Sequence, residues 1–166
     1  MRGFPIFAGL ALAFAAAVPA LATTIVPEES AVAKSVDRFF EALRSEDKTA
    51  LAQVMIPEAV IFVHNRMDQA NPRVDVVPVA DHLARWATRS GSFDEKMTYA
   101  RIMIDGDMAQ VWGPYVFAVD GVVSHCGINS LSMVRMADGN WKVGNTSFTM
   151  VAPDQCGAIG APELGE

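Results

Sequence analysis

The chain has 166 residues, with 13 lysines and arginines against 19 aspartates and glutamates, and a formal net charge of -6. This length suits one domain that buries its own core. The acidic balance argues against nucleic acid or an anionic membrane surface as a partner, since both require a field of Lys and Arg. An apolar content of 51% excludes a disordered chain.

Residues 1–22 have the layout of a secretory signal peptide. A basic start at 1–3 precedes an uncharged apolar run at 4–18, and 19–22 end in an A-x-A cleavage motif. The run is shorter than the roughly 20 residues that a membrane span requires, although an uncleaved anchor is the alternative. We predict cleavage after Ala22, which removes 22 of 166 residues and leaves 144. The leader carries one basic residue, so the mature charge is -7, and the mature protein is expected to be periplasmic or secreted, with no membrane association.

Two cysteines remain in the mature chain, Cys126 and Cys156. In an oxidising compartment an even pair predicts a disulfide. Closing a loop of this length contributes on the order of 3–4 kcal/mol in the chain-entropy model. The alternatives are two free thiols or a bridge between chains. A catalytic thiol is not predicted, because neither cysteine begins a helix.

Apolar periodicity predicts three helices in the first part of the mature chain. The first begins near Pro27 and carries one apolar stripe, formed by Val32, Val36, Phe39, Phe40 and Leu43. A shorter helix ends at Pro57, and a third carries Trp86. A strand at 59–66 separates the last two helices, and the polar segment 67–78 is predicted as a long turn, with a short strand at 74–76 as the alternative.

The C-terminal half is divided by three Asp-Gly pairs, at 105–106, 120–121 and 138–139. Each pair is typical of a tight hairpin turn. The sequence therefore predicts an antiparallel meander of four strands, over about 96–104, 108–119, 122–137 and 140–151.

The two central strands are too long to lie straight in a domain of this size. With 120–121 as the turn, Gly113 faces Ile128 and Pro114 faces Gly127, which predicts a bend shared by both strands. The fold class is then α+β: a curved antiparallel sheet, made of the four-stranded C-terminal meander and a short N-terminal strand, packed against three N-terminal helices. The domain covers 23–152, and a loose tail covers 153–166.

The same register predicts a small-molecule pocket on one face of the sheet. Apolar walls with a few placed polar groups are typical of such pockets. The predicted lining is Trp86, Tyr99, Trp112, His125 and Asn129. The opposite face, which carries Tyr115 and Phe117, is also apolar, so the face that lines the cavity stays open.

Acid–base chemistry finds little support in the sequence. The acids near the meander lie in turns, and none is predicted inside a strand, where burial can produce a general base. The sequence has no nucleophile elbow or phosphate-binding loop. The three histidines are too widely spaced for a metal site, so we predict neither a metal nor a cofactor. His82, Arg85 and Arg89 are predicted on the solvated face of the third helix.

The order of helices and strands, together with three sequence runs, resembles a known superfamily. The runs are Val-Trp-Gly-Pro-Tyr-Val-Phe at 111–117, Ser-His-Cys-Gly at 124–127 and Asp-Gly-Asn-Trp-Lys-Val at 138–143. Over about residues 30–152 the chain is similar to the nuclear-transport-factor-2-like superfamily, in its SnoaL-like branch. The resemblance implies a cone-shaped α+β fold, a cavity between sheet and helices, and a homodimer formed through the sheet.

The superfamily includes ketosteroid isomerases, dehydratases, polyketide cyclases and epoxide hydrolases, besides members without known activity. The strand carboxylate of the isomerases has no evident match in this sequence. We therefore expect an exported protein that binds a small apolar or aromatic molecule without turnover. The alternatives are a lyase or isomerase that uses His125 as general acid or base, with Asn129 or Tyr99 polarising a substrate oxygen, and a dimerisation module without a ligand.

Overall fold

The computed structural model describes residues 27–164. The predicted signal peptide and its cleavage site lie outside these residues. The described chain begins with helix α1 (Pro27–Arg44), followed by the short α2 (Leu51–Val54) and later by α3 (Val79–Trp86). The predicted apolar stripe of α1 is buried along its length and forms one side of the core. No helix of the described residues is long and apolar enough to span a membrane.

One curved sheet covers the other side of the core. Its strands are β1 (Val60–Asn65), β2 (Arg73–Pro78), β3 (Phe93–Met97), β4 (Arg101–Asp105), β5 (Met108–Val119), β6 (Val122–Arg135) and β7 (Trp141–Met150). The order is β2-β1-β7-β6-β5-β3, and β4 pairs with the other half of β5. Only the β1–β7 pair is parallel within the described sheet. The predicted α+β class, with a curved sheet against N-terminal helices, is confirmed.

Two predicted boundaries differ from the structure. The segment predicted as a long turn contains a full strand, β2, which pairs with β1 over six residues. The strand predicted at 96–104 begins earlier, at Phe93, and is interrupted after Met97, so that it forms β3 and β4. Both strands lie along the same edge of β5. Residue 95, predicted to precede the strand, is therefore inside it.

The turn between β5 and β6 has the predicted two residues, Asp120 and Gly121, both with positive φ angles of 50° and 77°. The predicted pairing holds only for the first two pairs. A bulge follows, in which Ser124 has no partner and Phe117 pairs with His125. From there every pair is displaced by one residue, and Gly113 pairs with Asn129. Because successive strand residues face opposite sides, this displacement exchanges the two faces of β5 relative to β6.

The interruption between β3 and β4 passes close to β5 at Gly113. A Cβ atom on Gly113 would lie 1.7 Å from the carbonyl oxygen of Thr98. The amide of Thr98 donates to the carbonyl oxygen of Pro114 at 2.9 Å, which fixes this approach. Gly113 therefore accommodates the chain between two edge strands, and it pairs with Asn129 instead of the predicted Ile128.

The segment after β7 returns along the sheet. A short 3-10 helix (Pro153–Gln155) leads to Cys156, which forms a disulfide with Cys126 of β6. The amide of Cys126 also donates to the carbonyl of Val151 at 3.3 Å. The predicted intramolecular pair is present in the structure, and it attaches the C-terminal segment to the strand that carries His125.

Gly113→Ala should destabilise the fold by about 3 kcal/mol or more, because the added methyl group meets backbone atoms that cannot rotate away. Urea unfolding measures this loss. Gly144→Ala is the matched control, since its nearest contact, the Ser132 carbonyl oxygen, lies at an ordinary 3.4 Å. We expect the control to change stability by less than about 1 kcal/mol. Equal effects of the two substitutions would contradict the close approach at Gly113.

Candidate functional site

A cavity of about 350 Å³ lies between the helices and the sheet. This volume is within the range of sites that bind small molecules. Aromatic and aliphatic side chains from α1, β1, β5, β6 and β7 form most of its wall. The polar side chains that line it are His82, Arg89, Glu95, Ser124, His125, Asn129 and Thr146.

Glu95 is the only carboxyl group in the lining of this cavity. It lies in the middle of β3 and is 9% exposed. Asn129 of β6, also buried, donates from Nδ2 to Glu95 Oε1 at 2.7 Å, across the intervening β5. Burial raises the pKa of Glu95 to about 7; Asp94 adds to the rise, while Asn129 and Arg44 oppose it. The carboxyl group therefore exchanges a proton near neutral pH.

His125 lines the same cavity from the bulged end of β6. Its ring stacks on Phe117 at a centroid distance of 4.9 Å and meets the edge of Tyr115 at 5.8 Å. Its Nδ1 lies 3.2 Å from Ser124 Oγ. Burial lowers the pKa of His125 to about 4, so the imidazole is neutral at pH 7. Its single N–H can donate a hydrogen bond to a ligand, but it lacks the second, acidic proton that an imidazolium would transfer.

The end of α3 forms another part of the wall. His82 and Arg89, which the sequence placed on a solvated face, both line the cavity. For Arg89 the reason is that α3 ends at Trp86, earlier than predicted, and the chain then turns so that Arg89 lies against Phe93. Burial lowers the pKa of His82 to about 4, and the charges of Arg85 and Arg89 add to this effect.

The structure places three of the five predicted lining residues, Trp86, His125 and Asn129, in the cavity wall. The prediction that Trp112 lines the cavity is wrong. Trp112 is 48% exposed on the opposite face of the sheet, because the bulge at Ser124 displaces the pairing by one residue.

Tyr99 is also absent from the cavity wall. It lies in the interruption between β3 and β4, and its hydroxyl donates to Asp37 of α1. Burial and the carboxylate of Asp37 raise its pKa. Tyr99 therefore ties the interruption to α1 and is not positioned to polarise a substrate in the cavity.

The most important residue that the sequence did not predict is Glu95. Three consecutive charged residues, Asp94, Glu95 and Lys96, are typical of a solvated turn. The available signal was the alternation of Phe93, Glu95 and Met97, which places the carboxylate on the same face as two apolar side chains. No three His, Cys, Asp or Glu side chains of residues 27–164 form a group that could hold a metal ion.

No family model matches this chain, and no curated protein matches its sequence. Solved structures do match. An NTF2-like protein from Cytophaga hutchinsonii has a TM-score of 0.61 at 13% identity, covering 75% of this chain and 99% of that one. An NTF2-like protein of unknown function from Shewanella baltica has a TM-score of 0.54 at 20% identity, covering 77% and 97%.

A third match is a proposed dehydratase of the NTF2-like family from Streptomyces avermitilis, with a TM-score of 0.57 at 17% identity, covering 76% of this chain and 99% of that one. These similarities confirm that the chain has the nuclear-transport-factor-2-like fold. At such identities they show the fold alone, and a shared fold does not fix an activity. The SnoaL-like branch stays a prediction.

Glu95→Gln should remove a pH dependence of stability that the wild type has. In the folded protein the pKa of Glu95 is raised from its ordinary 4.5 to about 7. The contribution of Glu95 to the free energy of unfolding is therefore complete below pH 4.5 and is lost as pH rises through about 7. The substitution keeps an acceptor for Asn129. We expect the variant to gain about 3 kcal/mol over the wild type between pH 4.5 and 8. His82 and His125 titrate in both proteins, so their effects cancel.

Urea unfolding of both proteins at several pH values across this range measures that difference. Two stability profiles that run parallel with pH would contradict a neutral buried carboxyl group at position 95.

Proposed function

We propose that the protein binds a small, largely apolar molecule in the cavity and that Glu95 transfers a proton to or from it, as lyases and isomerases require. The observation that carries this proposal is the buried carboxyl group of Glu95, held by Asn129 at 2.7 Å in a mostly apolar wall. Its pKa of about 7 is matched to general acid–base catalysis near neutral pH. A carboxyl group so perturbed, in a cavity, is typical of functional sites.

The geometry suggests distinct roles for the polar residues. Asn129 donates a hydrogen bond to Oε1 of Glu95. The other carboxyl oxygen, Oε2, makes no hydrogen bond within residues 27–164 and is available to a ligand. In the proposed step a ligand carbon next to an electron-withdrawing group loses a proton to Oε2, and the electron pair moves into that group. Glu95 then returns the proton to another ligand atom, which isomerises the molecule, or to a departing hydroxyl group, which releases water.

His125 has a different role in this proposal from the one that the sequence suggested. With a pKa of about 4 it is a poor proton donor at neutral pH, and Glu95 is the better match. The neutral imidazole can instead form a hydrogen bond to a ligand oxygen on which charge develops. The proton-transfer role therefore passes from His125 to Glu95.

Binding without turnover is the second candidate. It is favoured by the small number of polar contacts at the Glu95 carboxyl group, to which Asn129 is the only side chain that donates a hydrogen bond within the described residues. His125 forms no hydrogen bond with Glu95 in that range either; its Nδ1 lies near Ser124 Oγ. A buried carboxyl group with one hydrogen-bond partner can recognise a ligand by hydrogen bonding without transferring a proton to it.

Deuterium exchange distinguishes the two candidates. Native mass spectrometry of protein purified from its own host should identify the retained molecule. In D₂O, wild-type protein should incorporate deuterium into that molecule at carbon, because Glu95 shares its proton with solvent between turnovers. Glu95→Gln should retain the molecule and lower incorporation by at least about 100-fold. Equal incorporation by the two proteins would contradict the role of Glu95, and bound but unexchanged molecule in both would establish binding alone.

We also propose a homodimer formed through the outer face of the sheet. Four large apolar side chains are exposed there, on strands that pair with one another: Met103, Met108, Trp112 and Val134. An apolar patch of neighbouring residues on a folded domain is typical of a protein interface. The bulge that removes Trp112 from the cavity is what brings it to this face.

Trp112→Glu should convert the dimer to a monomer, because it replaces the largest side chain of the patch with a charge. Light scattering coupled to gel filtration measures the mass. Val122→Glu is the matched control: Val122 is exposed at the β5–β6 turn, outside the patch. The control should stay dimeric, and a wild-type protein that is monomeric at high micromolar concentration would contradict the proposal.

Export to the periplasm or the extracellular medium is proposed from two features, the signal-peptide layout of residues 1–22 and the Cys126–Cys156 disulfide. Disulfides persist in oxidising compartments and are rare in the cytosol. Mass spectrometry of exported protein without reductant should find an N-terminus at Thr23 and no free thiol. Protein recovered with its leader intact and both thiols free would contradict export.

A further inference from the structure

Arg89 is held at the cavity by two aromatic rings. Its guanidinium carbon lies 4.4 Å from the ring centroid of Phe93 and 5.0 Å from that of Trp86. Stacking of this kind restrains the planar guanidinium and leaves the N–H groups at its edge free to donate. Arg89 is therefore an ordered cation in the cavity lining, although the residue as a whole is exposed.

The side-chain N–H groups of Arg89 and Trp86 have no acceptor within residues 27–164. The ion pairs within residues 27–164 join Arg44 to Asp94 and Arg73 to Asp75, and neither includes Arg89. The indole Nε1 of Trp86 is buried, and it too has no hydrogen-bond partner in that range. Native proteins satisfy nearly all buried polar groups, so an orphaned donor requires an explanation. A ligand with acceptor oxygens would supply partners to Arg89, whose guanidinium lies against the Trp86 ring.

The charge balance of the cavity limits what this ligand can be. Arg89 is the one permanently charged cation in the lining, because His82 and His125 are neutral at pH 7. One arginine balances one negative charge, and its two parallel N–H groups match the two oxygens of a carboxylate. The acidic chain, with a net charge of -6, disfavours a polyanion. The rest of the wall is mainly apolar and suits a hydrocarbon body.

From these observations we infer that the cavity takes a small monocarboxylic acid with an apolar, aromatic or alicyclic body, and that Arg89 binds its carboxylate. This inference rests on the proposed binding function and deepens it by naming the ligand class. Phe93, beneath Arg89, and Glu95 are two residues apart on β3, and their side chains share a face about 7 Å apart along the strand. The carboxylate would thus be held away from Glu95, with the ligand body between them.

A matched pair of probes tests the role of Arg89. 2-Naphthoate and 2-naphthamide have the same apolar body, but only the first is charged. Isothermal titration calorimetry should show that the wild-type protein binds 2-naphthoate at least about tenfold more tightly than 2-naphthamide. Arg89→Gln should bind the two probes equally, with little change for 2-naphthamide. Arg89→Lys should keep part of the preference, since it retains charge without the planar fork.

Arg85→Gln is the matched control. Arg85 belongs to the last turn of α3 but does not line the cavity, and its removal changes the net charge by the same amount. The control should keep the full preference for 2-naphthoate. Equal binding of the two probes by wild-type protein, or a preference that survives in Arg89→Gln, would overturn this inference and leave the binding proposal intact. Failure of both probes to bind wild-type protein would overturn the binding proposal and this inference together.

Discussion

The bulge at Ser124 determines which side chains of β5 and β6 share a face. Without it, Asn129 would lie opposite Trp112; with it, Asn129 lies opposite Gly113, and His125 lies opposite Phe117. Glu95 of β3 lies opposite Phe117, so the bulge places Asn129 and His125 on the face of the sheet that carries Glu95. One additional residue beside a two-residue turn therefore brings Asn129 and Glu95 to the same face, where they form a hydrogen bond.

Burial of Glu95 carries an energetic cost that this hydrogen bond only partly offsets. A carboxylate removed from water loses solvation, and one amide donor at 2.7 Å does not replace it. The acid form is therefore favoured up to about pH 7, while the neighbouring imidazoles of His82 and His125 lose their protons for the same reason. At neutral pH both imidazoles are uncharged and Glu95 is near the midpoint of its titration, so the lasting charge of the lining is that of Arg89.

Helical periodicity and the three Asp-Gly pairs were sufficient to predict most of the fold. The apolar stripe of α1 and the hairpin turns depend on local sequence, and both are present in the structure. The register of β5 against β6 was predicted one residue away from the observed one, because Ser124 looks the same in a regular strand as in a bulge. Because of that displacement, Trp112 was predicted on the wrong face of the sheet. His125, Asn129 and Leu131 all belong to β6, so their prediction on a common face did not depend on the register.

The site was less predictable than the fold. Glu95 is surrounded in sequence by Asp94 and Lys96, which are typical of exposed turns, and only the pairing of β3 with β5 reveals its burial. The cavity role of Arg89 depends on where α3 ends, and helix ends are among the least certain features of a sequence prediction. Glu95 acquires its environment from distant segments, whereas the two rings beside Arg89 are close in sequence and meet it only because the helix ends before it.

The proton affinity of Glu95 is the central claim, and a ¹³C NMR titration of its side-chain carboxyl carbon measures it most directly. Glu95→Gln assigns the resonance, since only that signal disappears. A burial-raised pKa predicts a midpoint near pH 7, well above the ordinary value of 4.5. A midpoint at the ordinary value would show a solvated carboxylate and contradict both the closed environment of Glu95 and the proton transfer proposed for it.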